Sequence, residues 1–131
     1  MAMIKSFRDL NVYKAVRQEA KFIFERSGTF PPEERYALTD QIRRSSRAVN
    51  AMIAEAWGRR RYKAVFVNKI DEALGEANET QSLLDDCLDC SYISSAEFGR
   101  MDAAWQGIGG MLKRMIERAD DFCRGMQPAA E

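Results

Sequence analysis

The sequence predicts an all-α protein, folded as an antiparallel up-down-up-down four-helix bundle in one domain that spans residues 1–131. Three observations support this class: four amphipathic segments, short breaks between them, and only three prolines and eight glycines in the chain. A many-stranded sheet needs more turn residues than these. At 131 residues, one core can bury roughly two thirds of the surface of the unfolded chain, which is enough for an independent domain.

The first two helices are expected at residues 9–26 and 33–57, where apolar side chains recur every three or four positions. Gly28 follows the first helix and Pro31 comes shortly after it, and this arrangement stops helices. Pro32 introduces the second helix, because a proline in the first turn loses no hydrogen bond. The two glutamates that follow it favour the positive end of the helix dipole.

The third and fourth helices are expected at residues 63–90 and 95–124, with residues 125–131 as a frayed tail. Each carries an apolar seam with a period of about 3.5 residues, which favours a left-handed, nearly antiparallel neighbour. The two seams are Phe66, Ile70, Ala73, Ala77, Thr80, Leu84 and Cys87, and Phe98, Met101, Trp105, Ile108, Leu112, Met115, Ala119 and Phe122. Ser94 and Glu97 form the capping-box pattern at the start of the fourth helix.

Four helices with one apolar stripe each can close a bundle, because short connections place sequential helices antiparallel. We expect the centre of the core to contain Ile42, Val49, Ile53, Ile70, Leu84, Trp105, Ile108 and Leu112. Five further apolar side chains lie beside or outside the stripes: Phe24, Phe30, Trp57, Val65 and Val67. Such extra apolar surface indicates a homo-oligomer, or alternatively the wide stripe of an ordinary globular helix.

The charges are balanced over the whole chain but divided between its halves. Residues 1–65 carry 14 lysines and arginines against 7 aspartates and glutamates, a net charge of +7, and residues 66–131 carry 6 against 13, a net charge of −7. This division indicates either a local basic face or basic helices packed beside acidic ones. The chain has no apolar run long enough to cross a membrane and no recognisable secretion signal, so we expect a cytoplasmic protein with reduced cysteines.

The candidate functional residues are seven cations between residues 43 and 63: Arg43, Arg44, Arg47, Arg59, Arg60, Arg61 and Lys63. Arginine's planar fork suits phosphate groups, so the cluster is a hypothetical binding surface for RNA or DNA. Tyr62 beside it offers a ring on which a base could stack. In the alternative interpretation these arginines are structural. They then pair with a neighbouring subunit or with acids of the third helix, namely Asp71, Glu72, Glu76 and Glu79.

No catalytic, metal or cofactor site is predicted. A di-iron site in a helical bundle needs histidines beside its glutamates, and the chain contains no histidine, so Glu55, Glu76 and Glu79 favour structural ion pairs. Cys87 and Cys90 have the spacing of a zinc half-site, but Cys123 is the sole further thiol and a closed site needs four ligands. Because Cys87 continues the seam of the third helix, we interpret it as a small core residue.

Several stretches of the sequence resemble a known family. They are FRDLNVY at residues 7–13, ERYALTDQIRRSS at 34–46, IAEAW at 53–57, RRY at 60–62, ETQ at 79–81 and YIS at 92–94. In combination they resemble the four-helix-bundle proteins named for intervening sequences within bacterial 23S ribosomal RNA genes. The resemblance covers about residues 5–122, nearly the whole chain.

The resemblance implies an antiparallel four-helix bundle that assembles as a ring-shaped homopentamer. A bundle of similar fold is the accessory variability determinant of diversity-generating retroelements, which binds a reverse transcriptase and nucleic acid. We therefore expect a non-enzymatic, homo-oligomeric scaffold that binds nucleic acid or a nucleoprotein partner through its basic surface. The alternative is a plain protein-interaction module whose arginines only hold the assembly together.

Overall fold

The computed structural model describes residues 4–125, which form four long helices and one short one. These are α1 (Asn11–Ser27), α2 (Leu38–Gly58), α3 (Lys63–Asp89), α4 (Ser95–Glu117) and α5 (Ala119–Cys123). Single 3₁₀ turns at Phe7–Asp9 and Pro32–Glu34 precede α1 and α2. This part of the chain contains no strand, so the all-α prediction is confirmed. None of its helices has the length and apolar character needed to cross a membrane.

The core lies where the apolar stripes of α1 to α4 face one another. All eight residues expected at its centre are at most 2% exposed, so the assignment of the stripes is confirmed. The α3 seam is fully buried along its whole length, whereas the two end positions of the α4 seam, Phe98 and Phe122, are half-buried. Among the extra apolar residues, Phe24 and Val65 remain exposed on the surface.

A buried polar pair and an exposed ion pair fix how α2 lies against α3. Ser45 and Thr80 share a hydrogen bond of 2.8 Å between their hydroxyl oxygens inside the core. Near the other end of the same pair of helices, Lys69 Nζ lies 3.5 Å from Glu55 Oε2. Early residues of α2 therefore meet late residues of α3, so the two helices run in opposite directions. Glu55 forms the structural ion pair that the sequence favoured.

The second helix begins later than expected. Residues 33–37 were expected to be helical, but α2 starts at Leu38, and Ala37 has the non-helical angles φ −120° and ψ −107°. The reason is Glu34, whose carboxylate accepts hydrogen bonds from the Leu38 backbone N–H (3.4 Å) and the Tyr92 hydroxyl (2.8 Å). Because Glu34 caps α2 from outside, the residues between them form a turn.

The fourth helix ends earlier than expected. It was expected to continue to residue 124, but α4 ends at Glu117, where Arg118 departs from helical angles, and the separate helix α5 follows. The stacked rings of Phe66 and Phe122, with centroids 5.7 Å apart, attach α5 to the start of α3. Of the expected tail, residues 126–131 lie outside the described residues.

A clamp between Arg26 and Glu97 joins the end of α1 to the start of α4. The Arg26 guanidinium donates to Glu97 Oε2 at 2.7 Å and to the Tyr92 carbonyl oxygen at 2.8 Å. Glu97 also completes the predicted capping box, since its carboxylate accepts from the Ser94 N–H while the Ser94 hydroxyl accepts from the Glu97 N–H. The capping-box prediction is thus confirmed, and Glu97 serves two elements.

We expect the Glu97 carboxylate to stabilise the fold only while it is ionised. The Arg26 guanidinium and the Ser94 N–H lower the pKa of Glu97 to about 2, from an unfolded value of about 4.3. Because the folded pKa is the lower one, the contribution is complete above about pH 4.5 and is lost as the pH falls towards 2. Glu97→Gln should lower the free energy of unfolding by about 1 kcal/mol at pH 7.

The measurement is urea denaturation of wild type and Glu97→Gln at several pH values. The difference between them should shrink as the pH falls from 4.5 towards 2. Glu117→Gln is a matched control, because Glu117 is exposed on α4 and has no ion pair in the described part of the chain. A difference between wild type and Glu97→Gln that does not change with pH would contradict this account of the clamp.

Candidate nucleic-acid interface

Basic side chains from α1 and α2 meet along a groove between these helices. On α1, Arg17, Lys21 and Phe24 are spaced by four and three residues, which places them on one helical face. On α2, Arg47 lies three residues before Asn50 and faces the same groove. The groove therefore combines cations from two helices, and two of them, Arg17 and Lys21, were not among the residues that the sequence singled out.

Two side chains of α2 hold the groove together by bonding to the backbone of α1. Arg43 donates through Nε to the Ser27 hydroxyl at 2.8 Å and through Nη2 to the Phe24 carbonyl oxygen at 3.0 Å. Further along α2, the Asn50 amide donates to the Tyr13 carbonyl oxygen at 3.1 Å. Late residues of α1 thus meet early residues of α2, and the register of the groove is fixed at both ends.

The aromatic ring of Phe24 orders two of the arginines. Its side chain is 44% exposed, and the guanidinium carbons of Arg43 and Arg47 lie 4.2 Å and 5.0 Å from the ring centroid. These are cation–π distances, at which an arginine is held without a carboxylate partner. The side chain of Arg47 has no ion pair or hydrogen bond among residues 4–125, so its donors remain available to a ligand.

The lining of the groove is basic and free of carboxylates. Ten side chains contribute to it: Tyr13, Val16, Arg17, Gln18, Ala20, Lys21, Phe24, Ser46, Arg47 and Asn50. Three of the ten are cations, none is acidic, and Arg43 adjoins them across the Phe24 ring. Such a surface can neutralise phosphates and offers an apolar ring for stacking.

The seven cations singled out in the sequence do not form one surface. Arg43 and Arg47 belong to the groove, but Arg59 lies beyond the far end of α2. At about 1.5 Å per residue, the sixteen positions from Arg43 to Arg59 span roughly 24 Å along the helix. Arg60, Arg61 and Lys63 lie at that far end as well, against α5.

Four acids of α3 were the expected partners of these cations within the chain: Asp71, Glu72, Glu76 and Glu79. None of the four lies within ion-pair distance of the seven cations in the described residues. Arg44 pairs instead with Asp40 on its own helix, with 2.7 Å from Nη2 to Oδ2, and Lys63 pairs with Asp120 of α5 at 2.7 Å. The expected pairing with α3 is wrong for the described residues, because Arg44 and Lys63 pair with other carboxylates and Arg43 bonds to the backbone of α1.

A model of the family described as 23S rRNA-intervening sequence protein matches residues 8–114, which include α1 to α3 and most of α4. The chain belongs to this family. A crystal structure of a protein with unknown function from the S23 ribosomal protein family of Bacteroides thetaiotaomicron VPI-5482 has a similar fold, with a TM-score of 0.73 and 27% sequence identity. The similarity covers 81% of this chain and 95% of that chain. No curated protein matches the chain.

In this member of the intervening-sequence family, the two cysteines of the predicted zinc half-site lie in different environments. Cys87 is fully buried and Cys90 is exposed, and burial raises the pKa of the Cys87 thiol to about 12. The interpretation of Cys87 as a core residue is therefore confirmed. Residues 4–125 contain no group of three or more histidine, cysteine, aspartate or glutamate side chains placed to hold a metal ion.

The sequence does not group Arg17 and Lys21 with the arginine-rich stretch, because more than twenty residues separate them from it. Their i, i+4 spacing on the polar side of α1 was the available signal. That spacing is common on solvated helix faces, so it indicates a binding surface only when the neighbouring face of α2 is known. In this family member the two faces meet at Phe24.

Proposed function

We propose that this protein is a non-enzymatic, homo-oligomeric scaffold that binds nucleic acid through the groove between α1 and α2. The observation that carries the proposal is the set of cations around Phe24, with no carboxylate in the groove lining. The family's description, which refers to an intervening sequence of 23S rRNA, is consistent with a role close to RNA. The absence of histidine from the whole sequence supports a binding protein over an acid–base catalyst.

The chemistry of the groove favours the sugar–phosphate backbone over particular bases. Arginine and lysine neutralise phosphates and release the counterions that surround a nucleic acid. The exposed Phe24 ring adds a stacking surface that accepts any unpaired base. One groove can engage only a few phosphates, so each subunit should bind weakly. Repetition of the groove around an oligomer raises the overall affinity, because further contacts form within the same complex.

Binding should be strongly salt-dependent. If three or four cations of the groove contact phosphates of duplex DNA, the log–log slope of affinity against salt should be about −3 to −4. The measurement is fluorescence anisotropy of a labelled duplex and a labelled single-stranded RNA, titrated with the protein at several salt concentrations. No binding of either probe at low salt would refute the proposal. A slope near zero would refute the phosphate contacts.

The protein should sediment as an oligomer. The exposed apolar side chains of Ile4, Tyr36 and Val65, which lie outside the groove lining, favour association, and the family resemblance implies five copies. Sedimentation equilibrium at micromolar concentration should then give a mass close to five times the 15.0 kDa of one chain. A mass of one chain at every concentration would contradict the oligomer, and a different multiple would correct the ring size.

A second candidate function is a protein-interaction module whose arginines are structural. Two contacts favour it: Arg43 is tied to the backbone of α1, and Arg44 is paired with Asp40. In this alternative the groove receives an acidic segment of a neighbouring subunit. An experiment can separate the two functions. If the protein is an interaction module, variants with neutral side chains in the groove should lose the oligomer. If it is a nucleic-acid scaffold, the same variants should lose only nucleic-acid binding.

A further inference from the structure

A second basic pocket lies beyond the C-terminal end of α2 and shares no lining residue with the groove. It forms where the turn between α2 and α3 meets α5, and six residues line it: Arg60, Arg61, Lys63, Asp120, Cys123 and Arg124. The stacking of Phe66 on Phe122 places α5 against this turn, which brings the last three of these residues to the first three. The pocket is thus a product of the fold, because its two halves are separated by more than fifty residues in sequence.

Arg60 is anchored in this pocket by two contacts with Trp57. Its Nε donates to the Trp57 carbonyl oxygen at 2.8 Å, and its guanidinium carbon lies 3.6 Å from the centroid of the Trp57 ring. Its half-burial lowers the pKa of Arg60, and no carboxylate of residues 4–125 pairs with it. Neither Nη atom bonds another residue in that range. A partly desolvated guanidinium with free terminal nitrogens is a binding site for an anion.

The charge of the lining exceeds what its single acid can neutralise. Four cations face one carboxylate, and Asp120 is already occupied by Lys63 at 2.7 Å. The lining therefore keeps a surplus of three positive charges, four minus one. The start of α3 lies here too, and its first turn contains no acidic residue and no side-chain cap. The positive end of that helix dipole adds to the surplus.

We propose that this pocket binds a phosphomonoester, with the guanidinium groups of Arg60, Arg61 and Arg124 as its ligands. A phosphomonoester carries a charge of about −1.5 to −2 at pH 7, whereas each backbone phosphodiester carries one negative charge. Several cations that converge on one small pocket match the doubly charged group better than a single diester. Arginine's planar fork binds such oxygens in pairs. The phosphate is either the end of a nucleic-acid strand or a free phosphate.

Cys123 provides a direct probe of occupancy, because its half-buried thiol lines the pocket. In a Cys90→Ser background, Cys123 is the accessible thiol of residues 4–125, since Cys87 is fully buried. We would measure the rate of its alkylation by iodoacetamide at constant ionic strength. The additions are inorganic phosphate, a 5′-phosphorylated oligoribonucleotide, the same oligonucleotide with a 5′-hydroxyl, and chloride.

We expect phosphate and the 5′-phosphorylated strand to slow alkylation at least fivefold, while the 5′-hydroxyl strand and chloride leave it unchanged. Protection by the phosphorylated strand at much lower concentration than by phosphate identifies a strand end as the source, and equal concentrations identify free phosphate. Equal protection by both strands would overturn the proposal in favour of backbone binding. Absence of protection by any phosphate compound would also overturn it.

Variants test whether the pocket's own cations provide the protection. Arg124→Ala should raise the concentration needed for half-protection at least tenfold, and Arg60→Gln should act in the same direction. Asp120→Asn should lower that concentration, because it removes the competing carboxylate. Arg118→Ala is the matched control, since Arg118 is exposed and lies outside this lining. Unchanged protection in Arg124→Ala, with the helical circular dichroism intact, would refute the assignment.

This inference does not depend on the groove between α1 and α2. A variant that lacks Arg17 and Lys21 should retain the protection of Cys123 by phosphate, because the two sites share no lining residue. Loss of groove binding with retained protection would remove the proposed function and leave the pocket. If nucleic acid still binds in the groove but phosphate does not protect Cys123, the pocket proposal fails and the proposed function remains.

Discussion

Trp105→Ala should lower the free energy of unfolding by about 4 kcal/mol, the largest effect expected of a single substitution in this chain. Trp105 is fully buried and is the largest side chain in the core, so its truncation loses apolar burial and leaves a cavity between the helices. A domain of this size has a total stability of about 5–15 kcal/mol. Urea denaturation followed by far-ultraviolet circular dichroism, at one fixed chain concentration, measures the loss.

Trp105→Phe is the informative control, because the indole Nε1 of Trp105 is buried without a hydrogen-bond partner in the described residues. An unsatisfied buried donor costs about 1–3 kcal/mol, and phenylalanine removes it while it keeps most of the apolar volume. The Phe variant should therefore lose less than about 2 kcal/mol. If it loses as much as the Ala variant, Nε1 is satisfied in solution, by an ordered water or by a partner.

The burial pattern was predictable because helical periodicity records which face of a helix meets the core. The seam of α3 is buried at every position, including the polar residue Thr80. Periodicity does not show which hydrogen-bond partner the buried hydroxyl of Thr80 has. The partner is Ser45 on α2, and the pairing depends on the register of two helices. The sequence could therefore place Thr80 in the core without supplying the reason that it is tolerated there.

The start of α2 was not predictable by local rules. Pro32 and the two glutamates after it form an ordinary helix-start pattern, yet the structure delays the helix to Leu38. The Glu34 carboxylate, which accepts from the Leu38 N–H, also accepts a hydrogen bond from the hydroxyl of Tyr92, which lies 58 residues further along the chain. A tertiary contact here overrides a local signal, and helix propensity alone gives no warning of it.

Sequence position was also a poor guide to which basic residues form the candidate site. Closeness in sequence grouped Arg47 with Arg59, although twelve positions, roughly 18 Å along the helix axis, separate them. The true neighbours of Arg47 across the groove are Arg17 and Lys21, which belong to another helix. Composition could indicate that the first half of the chain is basic, but the pairing of α1 with α2 decides which cations form a surface.

The combined substitution of the three cations that line the groove, Arg17→Ala, Lys21→Ala and Arg47→Ala, should abolish most nucleic-acid binding at moderate salt. Each lost phosphate contact reduces the steepness of the salt dependence by about one unit, so the slope on duplex DNA should fall by about three. Anisotropy titrations at matched salt concentrations measure both the affinity and its dependence on salt. A matched control removes three exposed cations outside the groove lining, Arg35, Lys113 and Arg118. Equal losses in both variants would mean that total charge, and not the groove, governs binding.

The same groove variant also decides between the two candidate functions. None of its three side chains forms an ion pair within residues 4–125, so their removal should leave each folded subunit intact. If the variant keeps the oligomer and loses nucleic acid, the cations form a ligand surface. If it loses the oligomer, they neutralise acids of a neighbouring subunit, and the groove is an interface between copies. Sedimentation equilibrium of the variant beside wild type separates these results, because a subunit contact changes the mass and a nucleic-acid contact does not.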